Sequence, residues 1–162
     1  VEFLSKQKKI SLNKIRILNL GDIYGKDQQS DCKKNYIVWK NSIDRIQALN
    51  KCNQSDVLLL IQHTDDRSKL TFPYKVYEYL NLGKPILALI NNNELKKMLT
   101  KRGHICANIT DNNEIRKKFL YVLQNRKKIK KNILKLEPKY KIDHTHQCKK
   151  LFDFKNEKYY SI

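Results

Sequence analysis

Two continuous apolar runs lie near the middle of the chain, at positions 57–61 (VLLLI) and 85–90 (PILALI). Continuous apolar runs of this length are typical of strands that are buried on both faces, as in a parallel sheet. Parallel neighbours need a long crossover connection, and the stretch between the two runs contains a helix-like pattern that can supply it. The pair of runs therefore predicts an α/β fold.

The same alternation extends along most of the chain. Strands are predicted at 14–20, 36–39, 57–61, 85–90 and 105–109. Helices are predicted at 43–52, 73–83, 94–102 and 112–124. Strict alternation with short connections predicts a Rossmann-like, doubly wound parallel sheet. Ligands of such sheets bind beyond the carboxyl ends of the strands, so we examine the loops after Leu20, Ile61 and Ile90 for a site.

Local signals mark the helix ends. Asn41 and Ser42 are candidate caps for the first predicted helix, whose apolar stripe is predicted to be Ile43, Ile46, Ala48 and Leu49. Pro73 fits the first turn of the second helix, with Thr71 as its cap. Gly83 and Gly103 are natural stops after the second and third helices.

The length of the chain and the spacing of its cysteines limit the class of protein. A chain of 162 residues has the size of one domain, and its longest clean apolar run is far shorter than the ~20 residues of a membrane span. The cysteines are widely spaced, without a CxxC signature, which indicates a reducing, cytosolic compartment. They are Cys32, Cys52, Cys106 and Cys148, of which Cys106 is expected to be a buried free thiol.

The net charge of +18 has two interpretations. It could attract polyanions, meaning nucleic acid, anionic lipid headgroups or phosphorylated ligands. It could equally reflect compositional drift, since Lys greatly outnumbers Arg and the basic residues are spread along the chain. Net charge gives information about binding partners rather than about the fold, so both interpretations stay open.

A longer motif spans the second predicted helix and the strand after it. Its residues, in order and spacing, are Pro73, Lys75, Val76, Tyr77, Glu78, Tyr79, Leu80, Gly83, Lys84, Pro85, Ile86, Leu87 and Ala88, and Ser55-Asp56 stands before the preceding apolar run. This pattern resembles the C-terminal, donor-binding domain of GT-B fold glycosyltransferases, especially the retaining family of bacterial cell-surface sugar transferases (glycosyl transferases group 1). With its flanking spacing, the resemblance covers about 14–124.

The resemblance implies that Glu78 accepts hydrogen bonds from the ribose hydroxyls of a UDP- or GDP-linked sugar, and that Lys75, on the same helix face, contacts the diphosphate. The turn formed by Thr71, Pro73 and Tyr74 is expected to contribute to nucleotide-sugar binding. Residues expected to line the cleft are Gln62, His63 and Gly21. No cofactor and no metal are expected, and no catalytic residue is assigned.

The chain departs from the family pattern in two places. Leu70 occupies the position of an earlier glutamate found in many members, and the turn at Gly21, Asp22, Tyr24 and Lys26 lacks the usual Gly-Arg pair. We therefore interpret 14–20 as the second strand of the domain, with the first strand and the acceptor-binding N-terminal domain lying outside the chain. The expected organisation is an incomplete nucleotide-sugar-binding domain at 1–125 and a basic helical tail at 126–162. Alone, such a donor-binding part should transfer no sugar.

Other classes of function were weighed against this hypothesis. A signalling receiver domain is rejected, because Gln62 stands where the phosphoacceptor aspartate would be needed. His144, His146 and Cys148 are too few for a zinc site. A basic binding module for RNA or for an anionic membrane surface is the alternative. The expected location is cytoplasmic, with peripheral contact at the inner face of the membrane and no nucleic acid as partner.

Overall fold

The computed structural model describes residues 11–21 and 36–136. A short 3-10 turn at Leu12–Lys14 precedes the first strand. The strands are β1 (Ile17–Leu20), β2 (Ile37–Lys40), β3 (Leu58–Ile61), β4 (Ile86–Ile90) and β5 (Ile105–Asn108). The helices are α1 (Arg45–Gln54), α2 (Arg67–Leu70), α3 (Lys75–Asn81), α4 (Asn93–Lys101) and α5 (Asn112–Leu136). The α/β fold with a Rossmann-like alternation of strands and helices is confirmed.

All described strand pairs are parallel. One sheet contains β1 and β2, and a second contains β3, β4 and β5 in that order. The register of the second sheet places Leu59 beside Leu87 and Ile61 beside Leu89. Within the described ranges the two sheets are not hydrogen-bonded to each other.

The sheet of β3, β4 and β5 has a hydrophobic core on each face. On one face, Leu58 and Leu60 of β3 join side chains from β4, α3 and α4, including Val76, Leu95 and Leu99. On the other face, Leu87 packs against α5 through Val122, Ile129 and Ile133. Successive side chains of a strand point to opposite faces, so β4 is buried on both.

The prediction that β3 is buried on both faces is wrong. Leu59 and Ile61 are 37% and 60% exposed. These two residues lie on the face that α5 covers over β4 and β5. Among the described strands, β3 lies at the edge of its sheet, and no described helix reaches across to cover it.

The first helix also differs from its prediction. Its cap is Asp44, whose Oδ1 accepts a hydrogen bond from the backbone N–H of Gln47 at 2.9 Å, and not Asn41 or Ser42. Ile46 is 73% exposed, so it does not belong to the apolar stripe. The core contact of α1 is made further along, by Cys52, one turn beyond the half-buried Ala48 and Leu49.

The last helix is longer than predicted. We expected it to end near Gln124, but α5 continues to Leu136 and crosses the expected boundary at 125/126 without a break. Ile129 and Ile133 lie one turn apart and are both 4% exposed, because they pack on the second sheet. Thus the lysine-rich stretch stays helical by burying one apolar stripe.

Other local predictions hold. Gly83 and Gly103 follow α3 and α4 with φ of 59° and 84°, the region that only glycine adopts without strain. Cys106 is a buried free thiol. In the part of the chain that is described, no helix is long and apolar enough to cross a membrane.

The residues named above at positions 22, 24, 26, 32, 144, 146 and 148 lie outside the described residues.

The difference in burial between Leu95 and Ile46 leads to a stability prediction with an internal control. Leu95→Ala removes a side chain that is fully buried, so the free energy of unfolding should fall by about 3 kcal/mol. Ile46→Ala, on a helix in the same protein, removes an exposed side chain and should change it by less than about 0.5 kcal/mol. Urea denaturation measures both. Equal losses would contradict the placement of α1.

Candidate functional site

The first turns of α1 and α3 meet in an ion pair. Arg45 is the first residue of α1, and Glu78 lies in the first turn of α3. The Nε of Arg45 donates to Oε1 of Glu78 at 2.8 Å. The arginine side chain is 70% exposed, whereas the glutamate side chain is only 19% exposed. Helical periodicity alone would place Glu78 on the surface. Its carboxylate is instead largely shielded from solvent and is hydrogen-bonded to an exposed arginine.

The carboxylate of Glu78 contributes to the pKa shifts of three neighbouring groups. The hydrogen bond from Arg45 to Glu78, followed by their charge attraction, raises the pKa of the guanidinium. Burial, and then the charge of Glu78, raises the pKa of the Cys52 thiol, while Lys75 opposes that rise. Burial, with smaller contributions from Cys52 and Glu78, raises the pKa of Tyr79. Glu78 is thus the centre of negative charge in a small group contributed by two helices.

Gln62, directly after β3, is a structural anchor. It is 5% exposed, and its Nε2 donates to the carbonyl oxygens of Ser68 at 2.7 Å and Thr71 at 2.9 Å. Its Oε1 accepts from the backbone N–H of Asn91, after β4, at 3.2 Å. One buried amide therefore joins the carboxyl ends of two strands to the loop between β3 and α3, and its polar atoms are engaged by the backbone.

Asn92 fixes the same loop from the other side. Its Nδ2 donates to the carbonyl of Lys69 at 2.8 Å, while its Oδ1 caps α4 by accepting from the N–H of Leu95. The loop after β3 leads into the one-turn helix α2, and Thr71 Oγ1 donates back to the carbonyl of Arg67. Thr71 consequently does not cap α3, whose N-cap residue is Tyr74 without a side-chain cap bond.

The other predicted site residues vary in placement. Tyr74 is 73% exposed and acts electrostatically on Arg45, so it belongs to the same neighbourhood as Glu78. Lys75 is exposed, and Glu78 makes its ion pair with Arg45 and none with Lys75 within 36–136. Pro73 is half-buried, and its carbonyl accepts from the N–H of Val76 as α3 begins.

His63 and Gly21 border other parts of the molecule. His63 is exposed beside Asp65, whose pKa is lowered chiefly by its hydrogen bond with Arg67 and to a smaller extent by His63. Gly21 follows β1 with φ of 147°, and its N–H donates to the carbonyl of Lys40 at 3.1 Å. The structure brings together Glu78, Tyr74 and Lys75 at one edge, whereas Gly21 lies at the end of the other sheet.

Arg45 was missed in the sequence analysis. It is separated from Glu78 by 33 positions, so no helical spacing relates them. One signal could have identified it, because a cation in the first turn of a helix opposes the helix dipole. A residue that breaks a local rule in this way often serves a neighbouring element or a ligand.

The anchoring role of Gln62 makes a prediction. Gln62→Leu keeps the side chain similar in size but removes its amide, which leaves the backbone N–H of Asn91 and the carbonyls of Ser68 and Thr71 without this partner. The free energy of unfolding should fall by about 2 kcal/mol, and amide hydrogen exchange should accelerate across 65–72. Gln47→Leu, at an exposed position of α1, is the matched control and should change neither quantity. Unchanged exchange at 65–72 would refute the anchor.

Among the residues placed by the structure, no three His, Cys, Asp or Glu side chains form a group that could hold a metal ion. No protein-family model matches the chain, and no curated protein or solved structure matches it either. What the site does must therefore be argued from the geometry of Arg45, Glu78 and the loop that Gln62 and Asn92 hold in place.

Proposed function

We propose that this chain is the donor-binding part of a glycosyltransferase, which binds a nucleotide diphosphate sugar at the edge formed by α1 and α3. The observation that supports the proposal is the environment of the Glu78 carboxylate. Its carboxylate is largely shielded, one oxygen is held by Arg45, and no described residue donates to the other oxygen, Oε2. A carboxylate oriented in this way can accept hydrogen bonds from a ligand.

The ligand chemistry follows from the acceptor geometry. Vicinal hydroxyls of a ribose are paired donors, and a carboxylate has the acceptor capacity for both while Arg45 occupies one site. Acidic residues have this role towards ribose in dinucleotide-binding sheets. Glu78 would therefore hold the 2′ and 3′ hydroxyls of the nucleotide, and Arg45 would orient the carboxylate.

Cations at the same edge suit the diphosphate. Arg45 uses Nε on Glu78, which leaves the terminal N–H groups of its exposed guanidinium for phosphate oxygens. Lys75 is exposed one turn before Glu78 on the same helix face. Tyr74, also exposed, offers a ring surface to the base or the sugar. Catalysis of this kind rests on positioning the donor and stabilising the leaving diphosphate.

The uncovered side of β3 fits an incomplete donor-binding domain. Leu59 and Ile61 are exposed on a face that parallel sheets normally bury, and the two described sheets are separate. A further parallel strand and its helix, lying between β1 and β3, would join the sheets and cover these residues. An acceptor-binding domain would complete the enzyme, which would transfer the sugar to a saccharide or lipid-linked acceptor.

The proposal predicts a selective stabilisation by nucleotide. The chain is titrated with UDP, GDP and their sugars, and its midpoint of thermal unfolding is recorded. A ligand at about 100 times its Kd adds about 2.7 kcal/mol to the free energy of unfolding, which raises the midpoint by several degrees. We expect this shift with one nucleotide series and its loss in Glu78→Ala.

Glu94→Ala is the matched control, because Glu94 is an exposed glutamate in the first turn of α4, a different helix. It should keep the nucleotide shift of the unchanged protein. A shift that survives Glu78→Ala, or that Glu94→Ala removes equally, would contradict the assigned role of Glu78.

A further inference from the structure

The second half of α5 carries a dense positive charge on its exposed side. Between positions 126 and 135 there is no acidic residue. The basic residues of this stretch, all exposed, are Arg126, Lys127, Lys128, Lys130, Lys131 and Lys135. Arg126 lies 3.9 Å from Asp56, so the five lysines carry the charge of this stretch. Five lysines within three turns fall in the range of four to eight that is typical of helices attracted to anionic lipids.

Three of these lysines surround a cavity. Lys128, Lys131 and Lys135 follow the helical spacing i, i+3, i+7, so they share one side of α5. Together with Asn132 and Tyr121 they line an open cavity of about 510 Å³ against the start of β5. None of the lining residues is acidic, so every charged side chain that lines the cavity is a cation.

This cavity lies at the opposite end of the sheet from Glu78. It is lined by Gly103 and Ile105, which precede and begin β5, whereas Glu78 lies beyond the carboxyl ends of the strands. The charge on α5 is therefore not part of the proposed nucleotide edge.

The apolar side of α5 is already occupied by the protein. Ile129 and Ile133 pack on the sheet and are 4% exposed, so the helix cannot turn them towards a bilayer. Contact with another molecule must use the lysine side, and its strength must come from charge rather than from insertion. Such a contact weakens steeply as salt screens it.

We propose that this lysine face of α5 docks the protein on an anionic membrane surface, with lipid phosphate groups seated in the cavity of Lys128, Lys131 and Lys135. Lysine suits this role because its flexible stem lies along apolar surface while its ammonium reaches the headgroups. Tyr121, 45% exposed at the cavity, and Leu134, 51% exposed on the same half of the helix, add apolar contacts at the level of the headgroups to this charge attraction.

The composition of the face favours lipid over RNA. Proteins that bind single-stranded nucleic acid stack successive bases on several aromatic rings, and they use the planar guanidinium of Arg. The stretch 126–135 has one Arg against five Lys, and Tyr121 is the one aromatic residue that lines the cavity.

A second lysine-lined cavity shows how the lysine face of α5 differs from other lysine-rich surface of the protein. Lys96, Lys97 and Lys101 line a cavity of about 440 Å³ on α4, on the opposite face of the sheet. There, carboxylates offset the charge, since Lys96 lies 3.9 Å from Glu114 and Glu94 is in the first turn of the same helix. The exposed lysines on this face of the sheet therefore supply a control.

The test compares two triple variants in co-sedimentation with vesicles. The first carries Lys128→Gln, Lys131→Gln and Lys135→Gln. The second carries Lys51→Gln on α1 together with Lys97→Gln and Lys101→Gln on α4, because these exposed lysines belong to the two helices that pack on the other face. Both lose three charges, and Gln preserves the helices. Vesicles are either equimolar phosphatidylcholine and phosphatidylglycerol or phosphatidylcholine alone, and circular dichroism verifies folding.

We expect the unchanged protein to bind the anionic vesicles and not the neutral ones, with binding lost in high salt. Each lysine at the surface is worth about a fivefold change in affinity, so the α5 variant should bind about 100-fold more weakly. The control variant should lose no more than about threefold. Equal loss in both variants, or no binding to anionic vesicles, would overturn the proposal. Binding to polyuridylate that the α5 variant loses, without vesicle binding, would overturn it in favour of RNA.

Discussion

The burial of β4 on both of its faces determines where the neighbouring elements can lie. Ile86, Ala88 and Ile90 point to one core, and Leu87 points to the other. Each face must be covered, so α3 and α4 pack on one side and α5 on the other. Because strands on either side of β4 run parallel to it, every connection must cross from one end of the sheet to the other. The carboxyl ends therefore collect loops and helix starts at one edge, where Glu78 lies.

A buried polar network shapes that edge. Gln62 and Asn92 follow neighbouring strands, and both donate to carbonyls of the segment between β3 and α3. Buried amides are costly to leave unpaired, so these bonds select one loop conformation. The loop in turn sets where α3 begins, and hence where Glu78 meets Arg45 of α1. The candidate site depends on this sequence of contacts more than on any single exposed side chain.

Much of the fold could be predicted, because α3, β4 and α4, with the glycines that follow the two helices, obey simple periodicity and turn chemistry. The errors at Leu59, Ile61 and Ile46 share a cause: an apolar residue shows its tendency to be buried, but the sequence does not show whether another element reaches it. The length of α5 was underestimated because the charges between 126 and 135 obscure the stripe of Ile129 and Ile133. Glu78, Lys75 and Tyr74 were selected from the sequence and lie at one edge, yet Arg45 was missed because no helical spacing relates it to Glu78, 33 positions away.

The most direct test of the central claim, that Glu78 is a receptor for ribose hydroxyls, compares ligands as well as proteins. Calorimetry would give the affinity of a nucleoside diphosphate and of its 2′,3′-dideoxy analogue for the unchanged chain and for Glu78→Ala. Hydrogen bonds to a charged acceptor contribute about 1.5–3 kcal/mol, so the analogue should bind the unchanged chain at least about tenfold more weakly. In Glu78→Ala the two ligands should bind alike. An equal penalty for the dideoxy analogue in both proteins would show that the hydroxyls are recognised elsewhere, and no penalty in the unchanged chain would show that they are not recognised.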